Sequence, residues 1–384
     1  MALNQKQLKR VEDEIKADID RGDYDGVHMI VAQHGEIELE TVYGYAERAT
    51  ERPLKDDDIF RPLSLSKGYT NGLIYRALSE GKLTLATRVI DVIPEFLGTN
   101  QFHMLRKDQI NLGHLLTHRS GMPATPLPGV GQDQMADLSA VIAGLGSVDV
   151  IHDPGTRVNY SPAINHALMG EMARRVYGYD SFAKLAQDLI FEPLGMRDTA
   201  FGLPVDKRDR AVPIKVYLEG GFLRPEDIEV FNDLIDENAE MPWVGSTTTA
   251  RDVFAWVELL RRKGELDGDY LISPKVIERA GRIHTGELMN DLYGMVNHER
   301  GWELPKGNIG LGVIVNGDGI APNFFGPFTS PNAYGNNGAG STLYWIDPDN
   351  DVTFTFLSAG VLDEGDNVER FLKISSMVSA AIVS

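Results

Sequence analysis

Leu8, Val11, Ile15 and Ile19 stand three or four positions apart with charged residues between them. That is the spacing of one buried helix face, and it predicts a helix over residues 4–21. The runs 27–32 and 37–43 are rich in β-branched and apolar residues and flank His34-Gly35, which reads as two strands joined by a hairpin. From about 64 to 80 a helical pattern of mixed apolar residues opens at a serine. Helix patterns and loops then alternate from 81 to 240, with helices expected over 85–96, 111–117, 137–145, 165–176 and 182–190. The stretch 203–240 is charged and irregular, and reads as a cover over a pocket. A further helix is expected over 250–262, after Gly245-Ser246-Thr247-Thr248-Thr249. The chain ends on a hairpin, 343–347 and 352–357 around Pro348-Asp349-Asn350, and an amphipathic helix from about 368 to 382. There is no internal repeat.

The order is strands, helical insert, strands, helix. It predicts an α+β fold in which both ends of the chain build one antiparallel sheet, flanked by the terminal helices, with an all-helical lobe inserted. The expected division is an α/β domain of residues 1–80 and 241–384 and a mainly helical domain of residues 81–240. A chain of 384 residues suits two such lobes, and the cleft between them is the expected site.

Charge and composition narrow the partners. Lys plus Arg is 37 against 56 for Asp plus Glu, a formal charge of −19, so neither nucleic acid nor an anionic membrane is an expected partner. No apolar run is long enough to span a bilayer. There is no cysteine, hence no disulfide, thiolate or cysteine metal site. The nine histidines are scattered without His-Glu-x-x-His spacing, so no metal and no other cofactor is expected. The start, Met1-Ala2-Leu3-Asn4-Gln5-Lys6, leads into a charged helix and not an apolar signal core, which gives a cytoplasmic protein as the expectation.

The chemistry concentrates in Ser64-Leu65-Ser66-Lys67. Residues three apart on a helix share a face, so the serine hydroxyl would stand beside the lysine amine, at a helix start whose N–H groups meet developing negative charge. Ser-x-x-Lys recurs at Ser79/Lys82 and Ser181/Lys184. Only Ser64 follows an apolar, proline-marked entry, Ile59-Phe60-Arg61-Pro62-Leu63. Without that context, the pair would read as a helix cap and a solvated lysine.

Several further segments in order carry a resemblance: His114-Leu115-Leu116-Thr117-His118-Arg119-Ser120-Gly121-Met122-Pro123, Asn159-Tyr160-Ser161-Pro162, Ile190-Phe191-Glu192-Pro193-Leu194-Gly195-Met196, Ser246-Thr247 to Ala250-Arg251-Asp252, Gly310-Leu311-Gly312 and Gly335-Asn336-Asn337-Gly338-Ala339-Gly340. With the Ser64 motif they resemble the serine β-lactamase and penicillin-binding-protein superfamily, on its class C side. Within it they are most similar to the family VIII carboxylesterases and related acyltransferases. The resemblance implies Ser64 as nucleophile and Lys67 as the amine that takes or relays its proton. Tyr160 would be a second base that protonates the leaving group, with a positive Lys67 lowering its ordinary value near 10. The N–H groups of Ser64 and Ala339 would form the oxyanion hole, and Asn336, Asn337 and Gly338 would meet substrate.

Two departures from the β-lactamase pattern bear on substrate. Pro162 stands where an asparagine amide is usual, and Asn336 where a lysine is usual. The expected function is therefore a serine hydrolase of small neutral esters, by an acyl-enzyme on Ser64. Amide-bond hydrolysis (a D-amino-acid peptidase, an amidase or a weak β-lactamase) and a non-catalytic binding protein of the same fold are the rivals. The expected partner is a small-molecule ester or amide. His114 and His118 are expected in a helix ending at Gly121, bonded to backbone carbonyls, and Trp243 and Trp302 in the pocket or the core. No Gly-x-Ser-x-Gly is present, so the α/β-hydrolase route has no support.

Overall fold

The computed structural model describes residues 3–98, 105–124, 127, 130–217 and 224–383. Its centre is a seven-stranded antiparallel sheet. The strands are β1 (Gly26–Gln33), β2 (Glu36–Glu47), β3 (Arg52–Pro53), β4 (Ile314–Val315), β5 (Tyr334–Gly338), β6 (Thr342–Asp347) and β7 (Val352–Ala359), in the spatial order β3-β2-β1-β7-β6-β5-β4. The N-terminal and C-terminal hairpins meet where β1 pairs with β7, in the register Gly26↔Ala359 to Gln33↔Val352. His34 and Gly35 both take positive φ, 55° and 83°, which is what a two-residue hairpin turn with the right twist requires.

Both faces of the central strands are covered, so β1 and β7 are buried throughout. This is why they read as runs rich in apolar and β-branched residues, with no charged face. One face, with Val27, Met29, Val31, Leu343, Trp345, Phe354 and Phe356, packs against helix α1 (Gln5–Arg21) and the last helix, Glu364–Ser379. The other face, with Ile30, Tyr344, Ile346 and Leu357, joins a second buried cluster. That cluster runs through α2 (Lys67–Ser79) into α3 (Ile164–Tyr177), and includes Trp256 of α4 (Ala250–Arg261). Among the described residues, none from 81–240 joins the seven-stranded sheet. Their apolar side chains, such as Leu112, Leu145 and Met169, nevertheless share the cluster with the sheet.

Several boundaries differ from expectation for local reasons. The 85–96 pattern yields only a short helix, Val89–Val92, and a 3-10 turn, Pro94–Leu97. Leu85 and Thr87 give their carbonyls to Gly113 and Leu112, and Val89 donates to Ile110, so the segment is held extended along 110–113. The helix expected to reach Gly121 stops at Leu116, and His118 beyond it has φ 51°. Near 182–190 the helix Phe182–Ala186 passes into a wider π turn, Gln187–Phe191. The last helix begins at Glu364 because Asp363 caps it, accepting from the Gly365 N–H. Helices Pro274–Ala280 and Asp291–Arg300, and strand β4, had no clear signal in the pattern.

Candidate active site

Ser64 lies in a single 3-10 turn, Leu63–Ser66, which runs straight into α2. Leu63 is buried with φ 49°, a left-handed backbone that a bulky residue adopts only under constraint. The constraint comes from both sides. Thr342 Oγ1 of β6 donates to the Pro62 carbonyl at 3.0 Å, and a segment following 240 is fastened along the helix start. There Ser66 Oγ meets Ser246 Oγ at 2.6 Å, Thr70 Oγ1 donates to the Pro242 carbonyl at 2.6 Å, and Phe60 pairs through its backbone with Thr248. In that frame Lys67 Nζ is 2.9 Å from Ser64 Oγ and 2.9 Å from the Trp243 carbonyl oxygen.

Lys67 is only 3 % exposed, while Ser64 remains partly open. No carboxylate pairs with this amine among the described residues. Burial alone therefore holds its pKa well below the ordinary lysine value. Once it has lost its proton, the amine has one lone pair free to accept from the Ser64 hydroxyl while one of its N–H bonds donates to the Trp243 carbonyl. Tyr160, half-buried, places its hydroxyl 3.3 Å from the same Ser64 Oγ. Its pKa is pushed up to about 12, mainly by burial, against the opposite effect of the Ser64 hydrogen bond, with a still smaller upward push from the Glu364 carboxylate. The sequence reading gave Tyr160 a positively charged neighbour. Burial leaves the phenol protonated at neutral pH and makes the Lys67 amine give up its proton more readily than an ordinary lysine.

The end of β5 closes the other side of the serine. A Cβ built on Gly338 would lie 2.1 Å from the Pro62 carbonyl oxygen, so only glycine lets the strand pass this close. Ala339 follows directly, half-buried, which brings its backbone beside the Ser64 turn. Asn336 is buried and turned into the packing: its amide donates to the Gly312 carbonyl at 3.3 Å, next to that of Asn71 at 2.8 Å. Asn337 is half-buried on the opposite side of the strand, with its amide 3.5 Å from Glu364 Oε1.

Asn165 escaped the sequence reading, and Trp243 and His118 make contacts that it did not give them. Trp243 acts through its backbone carbonyl, while its ring is core. Asn165 and His118 form the wall behind Tyr160. The His118 ring is buried, with its centroid 4.7 Å from that of Tyr160. Its Nδ1 accepts from the Asn165 amide at 3.2 Å, so it bonds a side chain and not the carbonyls expected of it. Trp302 is part of the packing near the last helix, beside Arg300. Among the described residues no cluster of His, Cys, Asp and Glu has metal-site geometry, and no helix is long and apolar enough to cross a membrane.

A serine flanked by a buried, uncompensated lysine and a protonated tyrosine, beside the edge of an antiparallel sheet, marks a serine hydrolase. The chain belongs to the beta-lactamase family, which it matches over residues 11–376. Esterase EstB of Burkholderia gladioli is 31 % identical over 188 residues, a match that spans about half of each protein, 46 % of this chain and 47 % of EstB. The crystal structure of a family VIII carboxylesterase superposes with a TM-score of 0.77 at 21 % identity, covering 98 % of this chain and 99 % of that one. EstCE1, a hydrolase with promiscuous acyltransferase activity, gives a TM-score of 0.75 at 20 % identity, covering 97 % and 99 %. At those identities the structural likeness speaks for the fold.

Proposed function

We propose that this protein is a carboxylesterase or transesterase that forms an acyl-enzyme on Ser64 and acts on small neutral esters. The observation that carries this reading is the 2.9 Å contact between Ser64 Oγ and a buried lysine amine whose pKa burial lowers. The likeness to EstB and to the carboxylesterase structure supports it. As Ser64 Oγ attacks the ester carbonyl, the Lys67 nitrogen takes its proton. The backbone N–H groups of Ser64 and Ala339 receive the carbonyl oxygen as it gains charge. Tyr160 gives its proton to the departing alkoxide, and the proton that Lys67 took from the serine restores the tyrosine. Water or an alcohol then attacks the acyl-enzyme by the same path in reverse. The expected division into an α/β part, residues 1–80 and 241–384, and a helical part, residues 81–240, belongs to this proposal, with Ser64 from the first and Tyr160 from the second.

Neutral substrates are favoured because Asn336 offers no cation and its amide is engaged with Gly312. A charge-assisted contact is worth roughly 1.5–3 kcal/mol, so its lack weakens anionic substrates by about one to two powers of ten. Short p-nitrophenyl esters should therefore show a higher kcat/KM than nitrocefin or penicillin on one preparation. Intact-mass analysis should show an acyl group on Ser64. A β-lactam value at or above the best ester value would replace this reading with a lactamase or peptidase one.

A further inference from the structure

The Ser64–Lys67 pair is fixed by the turn and helix that carry it, but Tyr160 is not. It sits outside any helix or strand, between Asn159 and Ser161, and its hydroxyl must stay on Ser64 Oγ to be of use. What it leans on is His118. The two rings lie 4.7 Å apart, tilted by 41°. The His118 carbonyl also accepts from the Asn159 backbone N–H at 2.9 Å, so ring and backbone of one residue brace the tyrosine segment together.

His118 is itself held tightly. Its backbone is left-handed, with φ 51°, and Asn165 of α3 donates to its Nδ1 at 3.2 Å. The Asn165 amide cannot turn over, because its oxygen accepts from Ser120 Oγ at 2.7 Å and its nitrogen also reaches the Leu115 carbonyl. Ser120 and Asn165 are fully buried. An acceptor at Nδ1 fixes the tautomer with its proton on Nε2. Burial also keeps this ring uncharged, with a pKa lowered to about 3, so it adds no positive charge beside Lys67. Among the described residues no hydrogen bond of this network reaches Lys67 or Ser64, although the Lys67 charge also lowers the pKa of the ring, and a histidine needed only to fill space would not require a buried amide fixed in turn by a buried hydroxyl.

We infer that His118 is a positioning residue for Tyr160, oriented by Asn165 and Ser120 so that its ring and backbone hold the phenol hydroxyl on Ser64 Oγ. This rests on the reading of Tyr160 as the proton donor to the leaving group. A misplacement of about 1 Å in such a group can cost on the order of 10²-fold in rate. It should appear in kcat and leave KM nearly unchanged, since Tyr160 works on the departing atom and not on substrate capture.

The test is a double-mutant cycle on a p-nitrophenyl ester, with thermal melts to establish folding. His118→Ala should lower kcat by roughly 10²-fold in the native background and by no more than about threefold in a Tyr160→Phe background, because the group it positions is then absent. His118→Phe, which keeps a ring behind the phenol but gives Asn165 nothing to hold, should recover only part of the loss. Equal factors in both backgrounds would make His118 merely structural and overturn the inference. So would a loss confined to KM. If His118→Ala does not fold, Ser120→Ala takes its place: it frees the Asn165 oxygen and leaves the ring, and a smaller kcat loss confined to the native background is expected. The underlying reading fails separately, and visibly first, if Tyr160→Phe alone turns over like the native protein.

Discussion

Ser64/Lys67 and Ser181/Lys184 have the same spacing and opposite fates. At Ser181 the hydroxyl caps a helix, accepting from the Lys184 backbone N–H at 3.1 Å and donating to the Glu240 carboxylate. The Lys184 side chain is exposed and paired with Asp188, which raises its pKa and keeps it charged. At Ser64 the hydroxyl faces the amine itself, and the amine is buried with no acid beside it. Ser79, the third copy, spends its hydroxyl on the Tyr75 carbonyl and the Ser273 N–H, with Lys82 exposed over the Tyr177 ring. Spacing brings a serine and a lysine near one another. What makes the pair reactive is the choice between a 3-10 turn and a helix cap for the serine, and between burial and an ion pair for the lysine.

The largest effect that separates the two copies is on turnover. Ser64→Ala should abolish ester hydrolysis, a loss of several orders of magnitude, while the protein melts as before. Ser181→Ala should leave kcat/KM within about twofold, since a surface cap lies outside the chemistry. Steady-state assays on the two purified variants decide this. Substantial turnover by folded Ser64→Ala would end the contrast.

Next is the pH profile, which asks whether Lys67 really behaves unlike Lys184. A base works only when free of its proton. Burial lowers the pKa of Lys67, so the amine is free at lower pH than an ordinary lysine and is lost as a base as pH falls through its folded value. The kcat/KM should therefore fall about tenfold per unit on the acid side and level off well below the ordinary lysine range. Tyr160, pushed up to about 12, should produce no alkaline decline up to pH 10. A rate still climbing steeply at pH 10 would mean that Lys67 titrates as an ordinary surface lysine does, and the two copies would then differ only in geometry.

The sequence carried the architecture better than the site's second layer. Runs such as 27–32 and 352–357 announced strands because both faces are buried, and the 3.6-residue period of Leu8, Val11, Ile15 and Ile19 announced the first helix, which Asn4 and Gly22 cap. The 85–96 segment misled because its backbone partners, 110–113, are set by tertiary pairing and leave no mark in a local period. At the site, the Ser64 motif stood out through its apolar entry. The Trp243 carbonyl that anchors Lys67 could not, since any residue supplies a carbonyl. His118 stood in a quoted motif, yet its left-handed φ and its place behind Tyr160 depend on where α3 puts Asn165.

The smallest effect sharpens the comparison from the stability side. Ser181 is the N-cap of helix Phe182–Ala186, and its hydroxyl also serves Glu240, which accepts in addition from the Ala183 N–H at 3.1 Å. Alanine there strands one backbone N–H at the helix start and removes one donor from the carboxylate. Losing such a cap costs about 1 kcal/mol, within a range of roughly 0.5–2. The carboxylate keeps its Ala183 donor and is partly open to water, so the cost should stay in that range. In a chain of this size that corresponds to a fall in Tm of about 2–4 °C or less. Among the described residues Ser64 caps nothing: no backbone N–H of α2 donates to its hydroxyl, whose partners are Lys67 and Tyr160. Ser64→Ala should accordingly leave Tm within about 1 °C of native, or raise it, because a strained turn loses a polar group that served the chemistry and not the fold. Calorimetric melts of the two alanine variants side by side test this. A larger drop for Ser64→Ala than for Ser181→Ala would show that the Ser64 hydroxyl also holds the turn together, and that the division between a structural copy and a chemical one is less clean than the contacts imply.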